Sequence, residues 1–155
     1  MYTENDLSRF LDSNGIKYKI IKHGNSYRAD EASRELGINI SKIVKSVLFI
    51  TSEGDAILAI LRGDKRVDQR KLAKDLGTKK LRLASKDEVR RITGYEAGTL
   101  PPVGHKAKIK TLIDSSLSAD EFVYAGGGSI GSSLRIMVKD IILLQNAIPF
   151  NSIYQ

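Results

Sequence analysis

The chain has 155 residues, of which 25 are lysine or arginine and 18 are aspartate or glutamate, and it contains no cysteine and no tryptophan. Its length suits one typical domain, and 41% apolar residues are enough to build a single core. Without cysteine there is no disulfide scaffold, no thiolate metal cluster and no cysteine nucleophile, and two histidines make a histidine-rich zinc site hard to assemble. We therefore expect a single domain over residues 1–155 with no metal or other cofactor.

The first residues lack the basic and apolar regions of a signal peptide. No run approaches the roughly 18 apolar residues that a membrane span needs. We expect a cytoplasmic protein with no membrane partner.

Positive charge is concentrated in residues 62–91, which hold twelve basic and five acidic residues and so carry the whole net charge of +7. A concentrated positive surface favours a polyanionic partner, because neutralising phosphates releases condensed counterions. The alternative is a solvated basic helical face on a very soluble protein.

Helices and strands are both predicted in the first half of the chain. Thr3 and Asp6 resemble a capping box that opens a first helix, which Gly15 ends. Alternating apolar residues predict a strand over 16–20, and a short helix over 29–36 follows. β-branched and apolar residues then predict a hairpin, with strands at 43–50 and 56–61.

The second half begins with two predicted helices, one over 68–76 and one that Ser85 and Glu88 open as a capping box. Glycine and proline are too dense in 94–104 for a helix or a central strand. Later segments predict three strands and a short helix, at 109–113, 122–125, 134–138 and 140–144 respectively. Because strands outnumber helices and do not alternate with them regularly, we expect an α+β fold with a mixed, barrel-like β-sheet and peripheral helices.

Lys45 is the only charged residue in the apolar strand 43–50. A buried ammonium is expensive unless an anion compensates it, so Lys45 could point into a cleft and hold a phosphate or carboxylate. The alternative is a lysine on the solvent face of an edge strand.

Two glycine segments could form the walls of a site. The first, 98–104, is stiffened by Pro101 and Pro102, and its main-chain N–H groups could face a developing oxyanion, although a structural turn explains the same composition. The second, 126–131, lacks the ending of a phosphate-binding Walker loop and the strand-to-helix context of a dinucleotide site.

The histidines and several tyrosines leave their roles open. His23 and His105 could be exposed, could cap the core or could contact a substrate. Tyr18, Tyr27 and Tyr95 could stack on a base, although packing tyrosines are more common. No Ser-His-Asp order is evident.

Taken together, these segments resemble the YbaK-type, prolyl-tRNA-synthetase-associated domains, a family of trans-editing aminoacyl-tRNA deacylases. The resemblance runs from the first helix almost to Phe150, and it rests on the order and spacing of several motifs, which lie at 43–49, 58–68, 71–73, 83–89, 93–95, 98–104 and 125–128.

The resemblance implies a mixed barrel-like fold that hydrolyses the ester between a wrong amino acid and the terminal ribose of tRNA. Family members act on cysteinyl- or alanyl-tRNA for proline and on related small-residue errors. The substrate is thought to assist through its own 2′-hydroxyl with water, or through a cysteine thiol. Lys45 matches the family's functional lysine near the terminal adenosine, 98–102 matches its GxxxP loop, and Gly127, Gly128 and Ser129 match the second wall.

The resemblance also suggests the free-standing YbaK or ProX type, because 129–132 lacks the histidine that some synthetase-associated members carry there. The expected partners are a mischarged tRNA and an aminoacyl-tRNA synthetase such as prolyl-tRNA synthetase. Two alternatives stay open, namely a non-catalytic tRNA- or synthetase-binding module and an enzyme acting on another small acyl ester.

Three groups of candidate site residues follow. Lys45 is the candidate catalytic residue. The candidate substrate-binding residues are His23, Gly98, Thr99, Leu100, Pro101, Pro102, Gly104, Gly127, Gly128 and Ser129. The candidate tRNA-binding residues are Arg62, Lys65, Arg66, Arg70 and Lys71.

Overall fold

The computed structural model describes residues 1–24 and 29–154 of the chain. Its helices are α1 (Glu4–Ser13), α2 (Ala29–Leu36), α3 (Gln69–Leu76), α4 (Lys86–Thr93) and α5 (Val138–Gln145). Its strands are β1 (Lys19–Lys22), β2 (Val44–Thr51), β3 (Ala56–Arg62), β4 (Arg66–Val67), β5 (Leu81–Leu83), β6 (Lys110–Asp114), β7 (Phe122–Gly126), β8 (Ser132–Met137), β9 (Ile148–Phe150) and β10 (Ile153–Tyr154).

Side-chain caps define the ends of several helices, as the sequence predicts. At α1 the Asn5 N–H donates to Thr3 Oγ1 and the Thr3 N–H donates to Asp6, which completes the capping box. The same reciprocal pair, Ser85 and Glu88, opens α4. These caps satisfy amide groups that a helix N-terminus otherwise leaves without partners.

Ten strands form three sheets in the described part of the chain. The largest has the order β5-β2-β3-β6-β9, in which β2 and β3 are an antiparallel hairpin and β6 runs parallel to β3. A second sheet has the antiparallel order β1-β8-β7, and β10 pairs with β4. A single parallel bridge between Ile43 and Tyr124 links the two larger sheets. The mixed α+β class is confirmed, although no continuous ladder closes the described strands into a barrel.

Apolar clusters cover both faces of the β2–β3 hairpin. Leu48, Leu58 and Ile60 belong to the cluster that also contains α1, β7 and β8 residues. Phe49 and Leu61 belong to the cluster that includes buried residues of α3. Because both faces are covered, these strands have nearly continuous apolar runs rather than a strict alternation.

Strand boundaries differ from the predictions at several places. β1 lies at Lys19–Lys22 rather than at 16–20, since pairing with β8 begins at Lys19. The short strands β4, β5, β9 and β10 were not predicted, because each has only two or three residues and depends on a distant partner for its pairing.

The longest described helix, α1, has ten residues. None of the helices in the described segments combines the length and apolar character needed to cross a bilayer.

Candidate functional site

A cavity lies where strand β2 begins, and residues from several distant segments line it. Its volume is about 100 Å³. The lining residues come from the residue after β1, from α2, from the start of β2, from the turn before Leu100, and from β7, β8 and the loop between them. They are His23, Ala29, Ala32, Ile43, Val44, Lys45, Ser46, Ala97, Gly98, Leu100, Ala125, Gly126, Ser129, Ser132 and Ser133. We call this cavity the pocket.

Lys45 borders the pocket from strand β2, where it pairs with Leu61 of β3. The strand is not an edge strand, since β5 pairs with its other side further along. Partial burial lowers the pKa of Lys45, an effect that nearby Asp64 opposes and nearby Arg66 reinforces. The structure therefore places a desolvated ammonium group, for which an anion is a favourable partner, at the rim of the pocket.

Ser46 follows Lys45 and also lines the pocket. Its Oγ is buried and has no hydrogen-bond partner among the described residues. A buried hydroxyl without a partner is costly, so Ser46 offers the pocket a donor and acceptor. Its only signal in the sequence is a polar residue beside the lysine in an apolar strand.

The two glycine segments predicted as walls contact one another. The Gly128 N–H donates to the Thr99 carbonyl at 3.0 Å. A Cβ on Gly126 would collide with the Leu100 carbonyl oxygen and would lie 2.8 Å from the Leu100 carbonyl carbon. Glycine is needed at 126 for this close approach of two main chains.

Only part of the predicted substrate-binding set reaches the pocket. Gly98, Leu100, Ser129 and His23 line it. The others are buried and are not among the lining residues, namely Thr99, Pro101, Pro102, Gly104, Gly127 and Gly128. Gly104 lies against Phe10 instead.

His105 holds the proline loop from behind. Its Nε2 donates to the Pro101 carbonyl at 2.8 Å, because a carbonyl oxygen only accepts. Burial lowers the pKa of His105, and the bond to Pro101 opposes that effect. The ring is therefore neutral at neutral pH and acts as a fixed donor.

His23 lies in a chain of polar side chains at the pocket wall. Its Nδ1 is 2.7 Å from Glu35 Oε2 and its Nε2 is 2.7 Å from Ser133 Oγ, while its side chain is 6% exposed. A carboxylate orients the ring and the ring contacts a hydroxyl, which is the arrangement that can polarise a serine. The sequence did not reveal it, because the three residues are remote along the chain.

The predicted tRNA-binding residues fall into two groups. Arg62 is bound by protein groups: its guanidinium donates to Glu121, to the Ser41 carbonyl and to Ser116. Arg66, Arg70 and Lys71 are exposed and Lys65 is half-buried. Arg66 and Arg70 line a groove that also contains Lys45.

The tyrosines singled out in the sequence are not available as a group for stacking on a base. Tyr95 is fully buried and packs edge-on against Tyr2, with ring centroids 5.4 Å apart. The Tyr18 hydroxyl donates to Asp12 at 2.9 Å. Tyr27 lies outside the described residues.

Comparisons with known proteins give consistent results. The family model for the aminoacyl-tRNA editing domain matches residues 23–144. The proline–tRNA ligase of Aquifex aeolicus is 39% identical over 93 residues, which are 60% of this chain and 16% of the ligase. The chain therefore spans less than a fifth of that ligase. The uncharacterised protein YwhH of Bacillus subtilis is 30% identical over 139 residues, covering 89% of this chain and 80% of that protein.

Solved structures share the whole fold. A protein proposed to be a trans-editing enzyme for prolyl tRNA synthetase superposes with a TM-score of 0.84 at 30% identity, covering 96% of this chain and 94% of that one. The hypothetical protein APE2540 superposes with a TM-score of 0.88 at 25% identity, covering 96% and 99% of the two chains. From its family-model match over residues 23–144, this chain belongs to the aminoacyl-tRNA editing domain family.

Proposed function

We propose that this protein is a deacylase that hydrolyses the ester between a wrong amino acid and the terminal ribose of tRNA, acting in trans on a tRNA released by its synthetase. The observation that carries the proposal is the pocket itself, which brings Lys45, Gly98 and Ser129 together from three separate parts of the chain. Membership in the editing-domain family supports the choice of substrate class.

Lys45 is proposed to anchor the phosphate or ribose of the terminal adenosine. Its partly desolvated ammonium group interacts more strongly with an anion than a fully hydrated one does. The Ser46 hydroxyl, which lacks a partner among the described residues, is available to bind a polar group of the same nucleoside.

The reaction is an acyl transfer to water. Water adds to the ester carbonyl carbon, the bond to the ribose oxygen breaks, and the released ribose hydroxyl takes up the proton that water loses. An aminoacyl ester is already activated, so positioning and main-chain N–H groups near the developing oxyanion can supply most of the acceleration. The substrate's own ribose hydroxyl, or a thiol on a cysteinyl substrate, can assist the proton transfer.

Small side chains surround the proposed acyl site. Four alanines and two glycines are among the lining residues, namely Ala29, Ala32, Ala97, Ala125, Gly98 and Gly126. We propose alanyl- or cysteinyl-tRNA for proline, or a related small-residue error, as the substrate. One methylene distinguishes ligands by only about 1–3 kcal/mol at a synthetase, and a second site of this kind compensates for that weakness.

A deacylation panel tests the proposal. The purified protein is incubated with alanyl-, cysteinyl- and prolyl-tRNA for proline, and the ester remaining is measured over time. We expect rapid loss of at least one mischarged ester, and loss of that activity in Lys45→Ala. Lys110→Ala is the matched control, because Lys110 is an exposed lysine on β6 that lies away from the pocket lining. Intact esters across the panel would contradict the proposal.

A second experiment separates substrate assistance from a serine nucleophile. If the substrate and water do the chemistry, Ser133→Ala retains turnover within about tenfold, since only one positioning hydrogen bond is lost. A serine nucleophile would instead give an acyl-enzyme burst in wild type and a loss of several orders of magnitude in the variant. Rapid-quench measurement of the first turnover distinguishes the two outcomes.

A non-catalytic tRNA- or synthetase-binding module is the second candidate function, favoured by the basic segment 62–91. Under this alternative, Lys45→Ala binds tRNA as tightly as wild type does. The protein also hydrolyses none of the esters in the panel. Prolyl-tRNA synthetase is the proposed protein partner, and sedimentation of the two purified proteins together tests that association.

A further inference from the structure

Two grooves share lining residues with the pocket. Lys45 lines both the pocket and a groove beside β2, whose other lining residues include Arg66, Arg70 and Tyr154. We call it the β2 groove. Ala97 and Gly98 are shared with a second groove, the α4 groove, which includes residues of α4.

The charges of the two grooves differ. In the α4 groove, Lys86 and Arg90 are balanced by Asp87 and Glu96. The β2 groove has three basic residues, and none of the described residues that line it is acidic. A phosphodiester chain leaving the pocket is therefore attracted toward the β2 groove and has no net attraction to the α4 groove.

The β2 groove continues into a third groove along α3. Gln69 and Arg70 line both, so the two form one path. The α3 groove adds Lys74, Lys79 and Lys80, and the described residues of its lining again include no acidic side chain. Basic residues thus line both grooves from Lys45 to Lys80, with Glu53, which accepts from Thr78 Oγ1 at 2.7 Å, as an acidic neighbour of the α3 groove.

The β2 groove also has an apolar and aromatic floor. Tyr154 is 49% exposed and Leu83 is 58% exposed, although the leucine side chain is apolar and the tyrosine ring is largely so. The Arg66 guanidinium carbon lies 5.7 Å from the centroid of the Tyr154 ring. Pairing of β10 with β4 holds Tyr154 opposite Arg66 in register.

An exposed aromatic ring beside arginines is the combination that binds single-stranded nucleic acid, since bases stack on the ring while phosphates meet the cations. A double-stranded RNA stem alone would bind the basic residues through its phosphates and would have no use for an exposed aromatic ring. If the terminal nucleoside occupies the pocket, the unpaired nucleotides before it must leave through an adjoining groove.

We propose that the β2 groove binds the unpaired nucleotides preceding the terminal nucleoside of tRNA, with one base stacked on Tyr154, and that the α3 groove binds phosphates of the adjoining stem. The proposal rests on the proposed function for the identity of the RNA. Arg62 has no part in it, because its guanidinium is bound by protein groups.

The first test measures binding of uncharged hairpin RNA by fluorescence anisotropy, so it does not depend on hydrolysis. One hairpin copies the acceptor stem with its unpaired 3′ nucleotides, and the other is the same stem with a blunt end. We expect Tyr154→Ala to weaken binding of the first hairpin about 5- to 100-fold and to leave the blunt hairpin unchanged. Tyr154→Phe should keep the affinity of wild type.

The matched control is Phe122→Ala. Phe122 is also an exposed aromatic residue, 41% exposed, with the Arg135 guanidinium carbon 3.9 Å from its ring centroid, but it lines none of the three grooves. Equal affinity of wild type and Tyr154→Ala for the hairpin with unpaired nucleotides would overturn the stacking role, as would an equal effect of Phe122→Ala.

The second test concerns the path of the stem. The logarithm of the affinity falls as the logarithm of the salt concentration rises. Replacing Lys74, Lys79 and Lys80 together by alanine should make that slope less negative by about 2–3, since each lysine stops neutralising a phosphate. The matched variant Lys86→Ala/Arg90→Ala should leave the slope unchanged. The reverse result would assign the stem to the α4 groove and overturn the proposed path.

Failure of the two proposals can be told apart. Wild type that binds hairpin RNA through Tyr154 but leaves every aminoacyl ester intact contradicts the proposed hydrolysis and not the groove. If wild type deacylates tRNA and Tyr154→Ala has the same KM, the result contradicts the proposed role of the β2 groove and not the proposed hydrolysis.

Discussion

Lys45 carries an energetic cost in the folded protein. It lies among Val47, Phe49 and Leu61 along the β2 groove, and partial burial lowers its pKa. Since the unfolded chain binds a proton more tightly at this residue than the folded chain does, Lys45 reduces stability at neutral pH and less so as the pH rises toward its unfolded pKa of about 10.4.

We therefore expect Lys45→Met to stabilise the fold while it abolishes deacylation. Because the side chain is only partly buried, the gain in the free energy of unfolding at neutral pH should be about 0.5–1 kcal/mol. Urea unfolding at neutral pH and near pH 10 measures it, and the advantage of the variant should shrink at the higher pH. A variant less stable than wild type at neutral pH would show that Lys45 stabilises the apoprotein.

His105 makes the free energy of unfolding change with pH in the mildly acidic range. Burial lowers its pKa below the unfolded value of about 6.5, so the unfolded chain takes up the proton first on acidification. The contribution of the neutral ring is fully present above that unfolded value and is lost as the pH falls toward the lower folded pKa. We expect urea unfolding between pH 7.5 and pH 5 to show a decline in stability that His105→Gln flattens; an unchanged slope in the variant would assign the decline to other groups.

At the scale of elements, the pocket depends on a contact between two segments. One is the turn Ala97–Thr99 together with Leu100, and the other is the end of β7 with the residues just after it. Gly126 lies against the Leu100 carbonyl, and Gly128 donates to Thr99. Neither wall is placed by its own secondary structure alone, so their separation fixes the width of the cavity.

Gly126→Ala should push these walls apart. We expect a loss of about 1–3 kcal/mol in the free energy of unfolding, because main-chain atoms must move to admit the methyl group. Turnover should fall about 10- to 100-fold as the pocket shifts. Gly54→Ala is the control, since Gly54 lies in the β2–β3 turn with open space around its Cα; it should lose stability through its positive φ of 90° but keep full turnover per folded molecule.

At the scale of the whole molecule, Arg62 ties the two larger sheets together. It ends β3, while Glu121 immediately precedes β7, and their side chains are only 18% and 16% exposed. The Arg62 guanidinium and an N–H from Ser118 hold the pKa of Glu121 at about 2. This ion pair links the two sheets at a junction where a single bridge, Ile43 with Tyr124, is the strand pairing between the described parts of the sheets.

Arg62→Ala should therefore act on stability. We expect a loss of about 2–3 kcal/mol, because Glu121 loses its least exposed cationic partner and two main-chain carbonyls lose a donor, while Ser118 and Lys42 still contact Glu121. Lys65→Ala, a nearby basic residue, should stay within about 0.5 kcal/mol of wild type. Thermal or urea unfolding measures both, and equal effects of the two variants would contradict a structural role for Arg62.

The contrast between Arg62 and Arg66 shows how far sequence reasoning reached. Both belong to the basic segment, and nothing in their spacing indicates that one is bound by Glu121 while the other faces a groove. The helices with capping boxes and the β2–β3 hairpin could be predicted, because local contacts encode them. Tyr154, Ser133 and Glu35 could not, because each gains its role from a strand or side chain far along the sequence.

The parallel pairing of β3 with β6 has a consequence for how the protein acquires its activity. The β2–β3 hairpin closes locally, whereas β3 and β6 are joined by all of 63–109, and non-local pairings of this kind form late. Lys45 and part of the basic segment can thus be in place on a nascent chain whose β7–β8 wall has not yet been synthesised. The pocket needs β7 and β8, and the β2 groove needs Tyr154, so both are complete only when the last strands dock.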